Sequence, residues 1–275
     1  MIISIQHGFT FFHNPKAGGT SVRATLEVFH DVPDITWGCD PSLFDTPVDL
    51  AHLGVDEFIT LRPALWDRIR DHNFYCLIRN PVDRFYSSVA EYAKLHGKMD
   101  TRFAPDQDRR TALFDMLDRL EGFGTAEAVM DTYELTHFKP QWIYWKSTNP
   151  DILVRTFPVT AIDALFTEIG DSCGRGIISQ TRNQRETIAL PNTIAKMAAH
   201  RSVRRMAQSL PGTRALKTAL RKRYATTSHT RNPFGVSAEE HEQVAAFVTR
   251  FYARDVDAWP AEYPSETDLA LKISS

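Results

Sequence analysis

The sequence holds little cysteine: among 275 residues only Cys39, Cys76 and Cys173 occur, far apart and never as a CxxC pair. That scarcity disfavours a zinc site or a disulfide framework and suits a reducing compartment. Cys76 lies in an apolar run and is expected in the core. The opening stretch, Met1 to Phe12, has no basic start and is interrupted by Gln6, His7 and Gly8. Neither a signal peptide nor a membrane-spanning helix is expected there, and a cytoplasmic protein is the default expectation. No internal repeat and no low-complexity tract is present. A formal net charge of −2 argues neither for nucleic acid nor for a membrane surface. One absence is local: from Thr187 to Ala238 there is no Asp or Glu, yet ten Lys and Arg fall there, which leaves about −12 on the remainder.

What is present reads as strands alternating with helices. A chain of this length and ordinary composition can bury one large α/β core, and a single domain over residues 1–275 is expected, with a basic helical insertion at about 190–233. Phe9 to His13 is short, aromatic and β-favouring, and apolar residues recur at helical spacing from Thr20 to Phe29. A second strand is read at Asp49-Leu50-Ala51-His52-Leu53, followed by a helix from Val55 to Ile69 that Pro63 should break. Phe74 to Ile78 is a buried-strand run, and Val82, Phe85, Val89 and Tyr92 continue it as a helix with Pro81 in the first turn. Ile152 to Phe157 and Ile162 to Ile169 repeat the pattern, with irregular helical sequence from Asp108 to Trp145 between. This order implies a mostly parallel sheet and a helix-rich C-terminal half. Ser237-Ala238-Glu239-Glu240 resembles a capping box at the head of a further amphipathic helix.

Behind the first strand stands Asn14-Pro15-Lys16-Ala17-Gly18-Gly19-Thr20-Ser21, leading into a helix. Glycines let backbone N–H groups approach an anion, the helix start adds partial positive charge, and Lys16, Thr20 and Ser21 supply donors. The segment does not match GxxxxGK[ST], because Lys16 precedes the glycines. Arg79-Asn80-Pro81-Val82-Asp83-Arg84-Phe85-Tyr86-Ser87-Ser88 forms a second candidate. An Arg at a strand end can grip a phosphate with a bidentate fork, and a Ser two turns into the following helix can approach the same anion.

Both segments, in this order, resemble the sulfotransferase family that uses 3′-phosphoadenosine 5′-phosphosulfate. The first is similar to its 5′-phosphosulfate loop, Pro-Lys-x-Gly-[Gly/Ser/Thr]-Thr-Ser, and the second to its 3′-phosphate motif, Arg-[Asn/Asp]-Pro-x-x-Arg-x-x-Ser. The resemblance extends to His137-Phe138-Lys139-Pro140-Gln141 and to Phe251-Tyr252-x-x-Asp255, and spans roughly Phe9 to Ala258. Thr156-Phe157 departs from it, since relatives often carry a charged pair there. It implies a P-loop-like three-layer α/β/α fold and no metal. It implies donor contacts from Lys16, Ala17, Gly18, Gly19, Thr20 and Ser21, with Arg79 and Ser87 on the 3′-phosphate.

Sulfuryl transfer also needs a base for the acceptor hydroxyl. His52, at the end of the expected second strand, has an unperturbed pKa suited to that task, and the uronyl 2-O-sulfotransferase branch, which this chain resembles, places a His before the 3′-phosphate strand. A structural His capping its strand remains an equal reading. His13 and His137 are rivals, and Asp49 and Asp56 weaker ones, because a carboxylate base needs burial to raise its pKa.

Two other classes stay open. One is a P-loop-like nucleotide kinase, against which stand the missing Walker lysine and the lack of an acidic strand end for magnesium. The other is a non-catalytic protein whose basic stretch holds a sulfated glycan or another anion. Nucleic acid is the least expected partner, since only Tyr224 and Phe234 interleave those basic residues. The resemblance tilts the acceptor towards a carbohydrate, and Trp142, Tyr144 and Trp145 offer aromatic faces, at least two of which are expected in the core. The basic segment reads equally as ordinary surface helices whose charges offset the acidic remainder or as a surface that draws an anionic acceptor or meets an anionic membrane peripherally.

Overall fold

The computed structural model describes residues 1–32, 48–97, 99–177, 187–188, 225–226 and 234–260. They form an α/β structure, with a four-stranded, mostly parallel open sheet and many helices. Strands β1 (Ile2–Ser4), β2 (Phe9–Phe12), β3 (Asn73–Ile78) and β4 (Val154–Pro158) lie side by side in that order. β1 runs antiparallel to β2, with Ile3 opposite Thr10. The two other pairings are parallel, Phe11 meeting Tyr75 and Tyr75 meeting Arg155. Gln6, His7 and Gly8, which break the apolar pattern, make the turn of the β1–β2 hairpin. Asp31 holds that turn by accepting from the backbone N–H of Ile5 at 2.8 Å and of Gln6 at 2.9 Å.

The strand expected at Asp49 to Leu53 does not form. Leu50–His52 is a 3-10 turn instead, because the Asp49 side chain accepts from the Ala51 N–H at 3.0 Å. A short acidic side chain that bonds two residues ahead competes with strand pairing. β2 therefore pairs directly with β3, with no strand from this region between them.

Chain contacts divide the molecule into two compact units: Met1–Asn80, Ala126–Asn183 and Tyr252–Tyr263 form one, and Pro81–Thr125, Gln184–Phe251 and Pro264–Ser275 the other. The first unit contains the sheet. Alternate side chains of a pleated strand leave by opposite faces, and two apolar clusters follow from that. Phe9, Phe11, Tyr75 and Leu77 pack with Val22 and Leu26 of α1 (Gly19–Leu26) and with Leu165, Phe166 and Ile169 of α6 (Ile162–Ser172). Ile3, Phe12 and Phe74 pack with Val55 and Phe58 of α2 (Val55–Leu61) and with Ile69 of α3 (Pro63–Ile69). Pro63 starts α3 one residue after α2 ends, as the sequence predicts. Cys76 is fully buried beside Ile143 and Tyr144.

The second unit is built on α4 (Pro81–Leu95), α5 (Asp106–Glu121) and α7 (Ala238–Phe251). Phe85 meets Phe247 with ring centroids 5.7 Å apart, and the Tyr86 hydroxyl shares a 2.9 Å hydrogen bond with His241 Nδ1. Two short strands, β5 (Thr187–Ile188) and β6 (Ala225–Thr226), pair antiparallel. The rest of the expected basic insertion, 190–233, lies outside the described residues, as does Cys39. Among the described residues no helix is long and apolar enough to cross a membrane.

Candidate active site

β2 and β3 run parallel, so their carboxyl ends deliver His13 and Arg79 to the same edge of the sheet. Ligands of open parallel sheets gather there. The loop after β2 is rooted by Asn14, which is buried and donates from Nδ2 to the Leu77 carbonyl and to Gln141 Oε1, each at 3.0 Å. Lys16 then takes φ 65°, the one left-handed non-glycine among the described residues. Its carbonyl accepts from Arg79 Nη1 at 3.3 Å, so the two cationic residues of the sequence motifs meet at this point.

Both glycines are required by local geometry. Gly18 has φ 82°, and a Cβ there would lie 2.9 Å from Val159 Cγ2. A Cβ on Gly19 would lie 1.6 Å from His13 Nε2, an impossible overlap. Only hydrogen lets the imidazole rest against the start of α1. The N-cap of α1 is Gly18, which has no side chain to cap it, and no acid stands in the first turn, so no carboxylate there offsets the positive end of the helix dipole. Thr20 is exposed there, Ser21 half-buried and Ala17 buried.

Three imidazoles gather beside the loop. His13 and His52 have ring centroids 4.4 Å apart, and His137, on the 3-10 turn Tyr133–Phe138, stands edge-on to His52 at 5.5 Å. His52 Nδ1 lies 3.0 Å from the His13 carbonyl oxygen. A carbonyl can only accept, so Nδ1 carries the hydrogen and Nε2 of the neutral ring carries the lone pair. Burial pushes the His52 pKa below its ordinary value, partly offset by the Asp49 carboxylate and by the bond to His13. Burial, reinforced by the neighbouring His52, pushes His13 well below its own. Both shifts favour the neutral imidazole. Among the described residues no group of three or more His, Cys, Asp or Glu is placed to hold a metal ion.

The weaker base candidates have other tasks. Asp49 caps its 3-10 turn, and Asp56 accepts from the Ser147 hydroxyl and the Thr148 N–H. Of the aromatic faces, Tyr144 is fully buried, and Trp142 is covered by the Arg254 guanidinium 3.5 Å above its ring. Trp145 packs against the Cys76 cluster. Ser87 belongs to the second unit, where it is 2% exposed on α4.

A residue absent from the sequence-derived site set bridges the two segments. Gln141 Oε1 accepts from Asn14 Nδ2 and from the Arg79 N–H at 3.2 Å, while its Nε2 donates to the Arg79 carbonyl at 2.8 Å. Asp255, in α8 (Ala253–Asp257), accepts from the N–H groups of Gln141 and Trp142, each at 2.8 Å. The signal available in the sequence was the Pro140-Gln141 and Tyr252-x-x-Asp255 pairs, whose partners no spacing rule discloses. Comparison with family models, with curated proteins and with solved structures finds no match to this chain.

Proposed function

We propose that this chain is a sulfotransferase moving the sulfuryl group of 3′-phosphoadenosine 5′-phosphosulfate to a hydroxyl, of a carbohydrate or glycolipid, on a P-loop-like three-layer α/β/α scaffold. One juxtaposition carries the reading: the Lys16 loop ending β2, Arg79 ending β3 with its guanidinium 3.3 Å from the Lys16 carbonyl, and a neutral His52 beside the loop entry. A phosphate-binding loop alone would serve many nucleotides. The added Arg suits a second phosphate, and the added imidazole suits a hydroxyl acceptor.

In this reading Lys16 and the N–H groups at the start of α1 hold the 5′ side of the donor and Arg79 its 3′-phosphate. The acceptor oxygen attacks sulfur in line, its proton passes to His52 Nε2, and the sulfur–oxygen bond to the phosphate breaks. The departing phosphate keeps the electron pair, and Lys16 with the helix N–H groups takes up its charge.

Calorimetry with 3′-phosphoadenosine 5′-phosphate and ADP tests the assignment. The first should bind without added magnesium and about tenfold or more tighter, a hydrogen bond to a charged group contributing about 1.5–3 kcal/mol. Arg79→Ala should erase most of the difference. Equal affinities or a strict magnesium requirement would favour the kinase, and binding of sulfated glycans without any nucleotide the non-catalytic protein.

A further inference from the structure

Gln141 has a buried side-chain amide whose three hydrogen bonds all go to the two segments assigned to the donor. One goes to Asn14, at the root of the Lys16 loop, and two bracket the backbone of Arg79. All of this lies in the first unit. Gln141 is 2% exposed and its bond to Asn14 is buried, so a partner lost there is costly, while the two bonds to Arg79 are partly buried. Gln141 is itself fixed. Asp255, 3% exposed, takes the N–H groups of Gln141 and Trp142 with one oxygen each, and the adjoining Arg254 stacks over Trp142. The Tyr252 hydroxyl donates to the Phe138 carbonyl at 2.8 Å, closing α8 onto the same segment.

We infer that Gln141, clasped by Asp255, is the positioning residue that sets the spacing between the 5′-side loop and Arg79, and so makes the two phosphates of one nucleotide bind as a unit. The inference rests on the sulfotransferase reading above. Two anion sites reward a ligand carrying both anions only if their separation is already fixed; otherwise the second contact is offset by the cost of ordering it. A single amide bridging the loop root and the backbone N–H and carbonyl of Arg79 fixes that separation without touching the ligand. An apolar side chain of the same size would fill the space and leave Asn14 and Arg79 each short of a partner.

The test measures, on the full chain, the affinities of adenosine 5′-phosphate, adenosine 3′-phosphate and 3′-phosphoadenosine 5′-phosphate. The quantity read is the gain from having both phosphates on one molecule. Gln141→Met, close in size but without polar atoms, should lose about tenfold or more of that gain, while each monophosphate changes by less than about threefold. Asp255→Asn, which keeps one accepting oxygen, should lose part of the gain in the same direction. It keeps the test open if Gln141→Met does not fold.

A folded variant with the full wild-type gain overturns the inference. A uniform fall for all three nucleotides also overturns it, because that is the mark of general destabilisation. If the wild-type chain itself shows no preference for the doubly phosphorylated nucleotide, the sulfotransferase reading has failed first, and the variants are not its cause.

Discussion

His52 donates Nδ1–H to a carbonyl, so its second nitrogen faces its surroundings as an acceptor, which is the state a general base needs before the hydroxyl arrives. In the proposed reading Lys16 has a different task, as a fixed positive charge in the loop. The two should therefore fail differently on substitution. His52→Ala should lower turnover by about 10²–10⁴ with donor affinity nearly unchanged, whereas Lys16→Ala should lower both. Single-turnover rates beside donor titrations separate these outcomes, and full turnover in His52→Ala would move the base to His137. The pH dependence carries a sign. Burial lowers the pKa of His52 in the ligand-free chain, so the base form persists on acidification, and the acid limb of kcat/KM should fall below about pH 6.5, the unperturbed value. An acid limb above that value would exclude His52 as the base.

Among the elements, those with a local cause were legible in the sequence. Pro63 divides α2 from α3, Pro81 opens α4, and the Phe74 to Ile78 run is a strand, because fixed φ and apolar continuity act within a few residues. The capping box is also local: the Ser237 hydroxyl accepts from the Glu240 N–H at 3.1 Å, and Glu240 accepts from the Ser237 N–H at 2.7 Å. Ser237→Ala should cost about 1 kcal/mol, readable as a lower denaturant midpoint with an unchanged slope. An unchanged midpoint would mean that tertiary packing alone holds the start of α7. The failures have a local cause as well. Asp49 to Leu53 reads as a strand by residue type, but one side-chain bond from Asp49 closes it into a turn. β1, three residues long, is too short for any alternation to be recognised, and it exists because Phe9 to Phe12 offers it a free edge.

On the scale of the whole chain, charge is divided unevenly: the ten cations of the 187–238 stretch stand against an excess of acids elsewhere. In the proposed reading such an arrangement would steer an anionic acceptor, or an anionic membrane carrying one, and salt would weaken it. Neutralising Arg221, Lys222 and Arg223 together should raise the acceptor KM and flatten its salt dependence, with donor affinity little changed. Acceptor kinetics unaltered at low salt, with binding to anionic vesicles intact, would reduce these charges to a solvated surface. The Lys16 loop after β2 and Arg79 at the end of β3 could be placed from sequence because each lies in a contiguous segment; what joins them could not. Asn14 lies 127 positions from Gln141, Arg79 lies 62 positions from it, and Asp255 another 114. Those separations govern the order of events when the chain is made. Strands β2 and β3 can pair while the ribosome is still at work, but the clasp on Gln141 closes only after Asp255 has emerged. If the clasp positions a nucleotide as proposed, donor affinity would mature late, and a nucleotide that binds only the clasped form would draw the last step of folding towards completion.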